Sequence, residues 1–265
     1  MRNLKLVVEY DGTDFHGFQR QRQLRTVQGV LEERFSALLG EKIKITGAGR
    51  TDAGVHASGQ VVNFRTTRPI EMKQIVKALN AALPRDIKVQ RCEEVKETFH
   101  ARRSASSRTY RYTLIERPAP SPLLGRFALI VPERLNLTAM QRAVEPLIGR
   151  HNFRAFQASG SETMTTERTL MRLDCQREGT RIEITAEADS FLYQMVRIIV
   201  GAMLQVGRRQ MPPSAPADAL RNGERLPRCT PAPACGLSLV EVSYQRETSQ
   251  PAHRGLTHQG RCTES

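Results

Sequence analysis

Apolar and polar positions alternate at the start of the chain. Leu4, Leu6, Val8 and Tyr10 fall on one side of an extended segment, with Lys5, Val7 and Glu9 on the other. That period of two is the mark of a half-buried strand, and Asp11-Gly12-Thr13 ends it. The period then lengthens. Val27, Val30, Leu31, Phe35, Leu38 and Leu39 share one face of a helix; Thr26 is placed to cap its start and Gly40 to close it. Strands are predicted near residues 43–45 and 60–64. A second helix shows Met72, Ile75, Val76, Leu79 and Leu83 on one face and stops before Pro84, and a strand follows near residues 87–92.

Residues 108–115 alternate again, with Tyr110, Tyr112 and Leu114 on one side and Thr109, Arg111 and Thr113 on the other. A helix is predicted over residues 138–148, where Pro146 would introduce a kink. Residues 170–177 and 181–188 read as a hairpin around Glu178-Gly179. An apolar helix is expected from 190 to 206, a turn-rich stretch from 212 to 233, and a last strand over 237–244. Strands and helices mix without a βαβ rhythm, which indicates an α+β fold of mainly antiparallel sheet covered by helices. The two halves carry similar inventories, so two similarly built domains are expected: 1–104 and 105–245, joined between about 97 and 107. Residues 246–265 lack apolar periodicity and read as a disordered tail.

Charge changes the picture more than composition does. The 265 residues have a formal charge of +13. The tail holds Arg246, Arg254 and Arg261 against Glu247 and Glu264, so nearly all of the excess sits on the folded body. A polyanion is the natural partner of such a body, since each neutralised phosphate releases counterions; a basic protein without one is the alternative. The most apolar segment, 191–206, is too short to span a bilayer and carries Gln194 and Arg197. The five cysteines are odd in number and include no C-x-x-C pair, against a disulfide framework or a common zinc site and in favour of a cytoplasmic setting.

Candidate chemistry gathers in the loop between the second and third predicted strands, Gly47-Ala48-Gly49-Arg50-Thr51-Asp52-Ala53-Gly54-Val55-His56-Ala57. Glycines let the backbone turn tightly and approach a ligand. No nucleophile–base pair and no phosphate-cradling motif accompanies Asp52. A lone carboxylate can attack a sugar C1′, act as a base or help hold a metal, and the last needs more acids than this loop supplies. The alternative is a solvated turn in which Asp52 caps a backbone amide. Arg197 lies in a segment that is apolar nearly all round. A guanidinium there needs an anion, and it favours the ionised form of a neighbouring acid; Asp52 is the suggested partner, and snorkelling to the surface or pairing with another acid the alternative. Arg102, Arg103, Arg108 and Arg111, interleaved with Tyr110 and Tyr112, suit RNA, as does the run Arg20, Arg22 and Arg25. Equally, the tyrosines could pack in a core and the arginines line a solvated face.

These motifs resemble a known family. Tyr10-Asp11-Gly12-Thr13, His16-Gly17-Phe18-Gln19-Arg20-Gln21 and Thr26-Val27-Gln28 look like the opening of the TruA-type tRNA pseudouridine synthases. Gly49 to Ala57 resembles the family's active-site loop. Phe99-His100-Ala101-Arg102, Arg108-Thr109-Tyr110-Arg111-Tyr112, Phe191-Leu192 with Met195-Val196-Arg197, and Ala234 with Gly236-Leu237 follow in the family's order. The likeness spans about residues 4–244; residues 211–230 show no matching pattern. It implies isomerisation of uridines in the tRNA anticodon stem-loop to pseudouridine, by cleaving C1′–N1 and rejoining at C5, with no cofactor and no metal. It implies Asp52 as the catalytic acid, Tyr110 stacking on the target base, Arg197 paired with Asp52, and Arg50 holding the extruded nucleotide. A basic cleft between two α+β domains and a homodimer sharing one tRNA are further implications.

Overall fold

The structure, a computed structural model, describes residues 1–69, 71–160 and 165–245; the tail expected to be disordered lies outside them. The first strand, β1 (Arg2–Tyr10), buries Leu4, Leu6, Val8 and Tyr10 as its alternation requires. Helix α1 (Val27–Leu39) starts on Thr26, whose side chain accepts from the Gly29 N–H, and ends at Gly40 in the left-handed conformation, φ 64°. Residues 43–45 form no strand. Their backbone is held by side chains of α1 instead: Ser36 Oγ accepts from Ile43 N and Glu32 Oε1 from Ile45 N. The short strand β2 is Thr46–Gly47. There follow β3 (His56–Thr66), α2 (Met72–Ala82), β4 (Ile87–Val95) and β5 (Ala105–Glu116).

The second half begins with β6 (Leu129–Val131) and α3 (Leu137–Val144). The helix predicted to 148 ends at Val144, and residues 145–147 tighten into a 3-10 turn around Pro146. Proline has no N–H to continue the ladder and its ring clashes with the preceding turn. Strands β7 (Gly149–Asn152), β8 (Glu167–Glu178) and β9 (Arg181–Ala188) come next, the last two forming the expected hairpin through Gly179 at φ 59°. Helix α4 (Met195–Gly207) starts five residues later than its apolar run suggests, because Gln194 is left-handed at φ 57°. The turn-rich stretch contains a short helix, α5 (Ala215–Asn222), opened by Pro216 and closed by Gly223. The chain ends its described course in β10 (Leu237–Tyr244).

The ten strands of the described residues form one mixed, mainly antiparallel sheet in the order β4-β1-β3-β10-β5-β9-β8-β7, with β2 on β3 and β6 on β5. The α+β class is as expected. Strand β10 lies between β3 and β5, antiparallel to β5 and parallel to β3 through Ser238–His56 and Leu239–Ala57. This aligns Ala57, Leu239, Tyr110 and Ala186 across the sheet. The apolar core is continuous through both halves. No helix among the described residues is long and apolar enough to cross a membrane.

Candidate active site

The loop between β2 and β3 is anchored at both ends before it presents Asp52. Gly47 is needed for close approach, since a Cβ there would sit 2.4 Å from the Phe18 ring. Gly54 takes φ 77°, the left-handed region that a side chain strains. Phe18 N donates to Thr51 O at 3.0 Å and Gly54 N to Phe15 O at 3.2 Å, so the loop after β1 braces the Asp52 loop.

Asp52 and Arg197 are 145 positions apart in sequence and meet directly: Arg197 Nη1 donates to Asp52 Oδ2 at 3.0 Å. Arg197 sits in the first turn of α4. Its Nε donates to Ala232 O at 2.8 Å, and Ala232 N returns a bond to Arg197 O at 2.9 Å. The guanidinium is thus fixed by backbone on one side and aimed at the acid on the other. The two side chains are 15% and 19% exposed, enough to be reached from the cleft beside them.

That cleft has a volume of about 800 Å³ and is lined by residues of the Asp52 loop, the loop after β1, β5 and the segment leading into α4. The size falls within the range of pockets that enclose small ligands. Arg50, exposed, Tyr110 and Arg102 share it with Asp52 and Arg197. The Tyr110 ring is 7% exposed and meets Phe191 edge-on, centroids 5.2 Å apart at 89°. Burial, helped by the nearby Tyr10 and Asp52, raises the Tyr110 hydroxyl above its ordinary range, so the phenol stays neutral. Burial, with smaller contributions from the adjacent charges of Arg50 and Arg108, pushes Arg102 below the usual arginine range.

The arginine runs divide. Arg108 is buried and spent on carbonyls: Nη2 donates to Ala48 O at 3.0 Å and Arg102 O at 2.6 Å, and Nη1 to Asp189 O at 2.7 Å. It is a strut under the Asp52 loop, not a surface cation. Arg20 pairs with Glu32 and Arg25 with Asp86, each at 2.8 Å, while Arg111 faces Glu183 at 3.5 Å. Tyr112 is a core residue whose hydroxyl donates to Pro233 O at 2.8 Å. Gln60 and the hydroxyl of Tyr10 are both buried beneath the loop; in the sequence their only trace is a lone amide beside Val61 and Val62. Among the described residues no three His, Cys, Asp or Glu side chains gather as a metal would need.

Known proteins agree on the class. A sequence description of the tRNA pseudouridine synthases matches residues 6–102 and 143–245. The chain is 42% identical to tRNA pseudouridine synthase A of Acetivibrio thermocellus over 92% of its own length and all of that protein's. It is 40% identical to tRNA pseudouridine synthase A 2 of Clostridium perfringens and 41% to tRNA pseudouridine synthase A of Pelobacter propionicus, with the same coverage. The class is that of the pseudouridine synthases, which are isomerases. Within it, the chain belongs to the tRNA pseudouridine synthase family, TruA type.

Proposed function

We propose that this protein isomerises uridines of the tRNA anticodon stem-loop to pseudouridine, with Asp52 acting on the ribose. One observation carries the reading: Asp52 is the single carboxylate among the described residues lining the cleft, and it is paired with Arg197. A glycoside hydrolase normally uses a second acid to activate water, which disfavours hydrolysis here.

The reaction breaks C1′–N1, turns the uracil and forms C5–C1′; the C5 hydrogen leaves as a proton and N1 gains one, so nothing is oxidised or imported. The uridine must first leave its stack, at about a few kcal/mol, least in a loop. Asp52 then attacks C1′ or removes the C2′ proton, and either role needs the carboxylate that the Arg197 guanidinium favours. Tyr110 offers its face to the uracil and confines it after cleavage. Its neutral hydroxyl can pass on the C5 proton but is not a standing phenolate base. Arg50, exposed at the cleft rim, takes the phosphate of the extruded nucleotide, with Arg102 beside it.

The two α+β halves act as two domains flanking this basic cleft on one shared sheet, and the working form is a cytoplasmic homodimer holding one tRNA across both subunits. The test is incubation with a tRNA transcript carrying 5-tritiated uridine. Tritium release with the base retained in the RNA supports the reading. Free uracil would convert the assignment to a hydrolase, and no release would leave a binding protein.

A further inference from the structure

We propose that Tyr10 and Thr51, backed by Gln60, form a positioning device that sets the Asp52 carboxylate for reaction; the inference rests on reading Asp52 as the reacting acid. Arg197 holds the carboxylate from the cleft side, but nothing in that contact fixes the backbone from which Asp52 projects. The loop after β1 braces that backbone from one side, and side chains hold it from below. Tyr10, the last residue of β1 and 3% exposed, places its hydroxyl 2.8 Å from Thr51 Oγ1. Gln60, fully buried in β3, donates to Gly49 O at 2.8 Å and accepts from Gly49 N at 3.3 Å, gripping that residue as a neighbouring strand would. Its amide also donates to the Tyr10 hydroxyl at 3.5 Å. The residues on both sides of Arg50 are therefore tied to the sheet, and Thr51 is the immediate neighbour of Asp52.

The chemistry is costly for a purely structural purpose. An amide and a phenol hydroxyl buried in an apolar sheet contribute little net stability, and matched apolar residues in their place would be nearly neutral. Phenylalanine would fill the Tyr10 site. What the polar groups add is direction: each bond has a preferred angle and length, and together with the backbone bonds from Phe15 and Phe18 they set where the Asp52 peptide sits. Burial pushes the Tyr10 hydroxyl up to about 12, so the link persists over the whole working pH range. A displacement of about 1 Å at a reacting group can cost roughly 100-fold in rate.

The experiment is single-turnover tritium release from the 5-tritiated tRNA transcript at saturating enzyme, together with the RNA Kd. Tyr10→Phe and Thr51→Val are expected each to lower the saturated rate roughly 10- to 100-fold with Kd unchanged, while Thr51→Ser, which keeps the hydroxyl, retains the rate. The double variant is expected to be no slower than the slower single one, because both remove the same link. Wild-type rates in Tyr10→Phe and Thr51→Val, or losses that multiply in the double variant, would overturn the proposal. If Tyr10→Phe does not fold, the contrast between Thr51→Val and Thr51→Ser decides. Failure of the underlying reading looks different: the wild type releases no tritium, or Asp52→Asn releases it at the wild-type rate.

Discussion

Arg197 reaches Asp52 at 3.0 Å, and Arg177 reaches Glu116 at 2.7 Å. Each guanidinium also holds a backbone carbonyl, Ala232 O for Arg197 and Leu135 O for Arg177. The arginines are equally covered, at 15% and 16% exposure, but the acids are not: Asp52 is 19% exposed and Glu116 7%. Glu116 spends Oε1 on Arg177 and on the Leu135 N–H, and its Oε2 is sealed in without a partner. Asp52 lines a cleft. A buried ion pair therefore says little about chemistry by itself; the difference lies in whether a substrate can reach the acid.

Breaking the two pairs should separate those roles most sharply. Arg197→Met is expected to lower turnover at saturation by about 100-fold or more, as loss of an oriented charge at a reacting centre does. Glu116→Gln removes the counter-charge of Arg177 and should cost about 3 kcal/mol of stability in urea unfolding, with turnover per folded molecule unchanged. Equal loss of turnover in both variants would dissolve the contrast. Next in size is Tyr110. Tyr110→Ala should weaken RNA binding by about 1–3 kcal/mol through lost stacking. Tyr110→Phe should bind like the wild type and turn over more slowly, by the share of the hydroxyl in moving the C5 proton. Wild-type affinity in the alanine variant would contradict the stacking role.

Charge gives a smaller effect. Arg50→Gln and Arg102→Gln should each reduce the salt slope of RNA binding by about 1, as loss of one phosphate contact predicts, whereas Arg111→Gln, already facing Glu183, should not. The smallest concerns His56, which lies 3.3 Å from Asp11 and accepts the Gly12 N–H at Nδ1. Burial lowers its pKa below the ordinary 6.5, outweighing the pull of Asp11. The folded state thus favours the neutral ring, and its contribution to stability is present above pH 6.5 and lost as pH falls below that value. Titration of the His56 ring by NMR at a pKa above 6.5 would contradict this.

Much of the local architecture was legible because short-range chemistry decides it. Thr26 and Gly40 bracket α1, and the Glu178-Gly179 hairpin follows from its alternating flanks. The meeting of Asp52 and Arg197 was legible for a different reason: an arginine in an apolar segment demands an anion, wherever the chain must bring it from. The insertion of β10 between β3 and β5 was not, since which strands pair over more than a hundred residues leaves no local period. Helix α5 buries only Pro216 and Ala219, too little to show as an apolar face. Arg108 read as an arginine facing RNA or solvent because a sequence does not show the carbonyls that surround it.

If an acid reached from the cleft and steadied by Arg197 does the chemistry, Asp52→Asn decides the matter through single-turnover tritium release from tRNA, measured beside its RNA affinity. Release should fall by about 1,000-fold or more, with affinity close to that of the wild type, as for removal of a group that acts only in the transition state. Release at the wild-type rate, or a loss explained entirely by weaker binding, would contradict it.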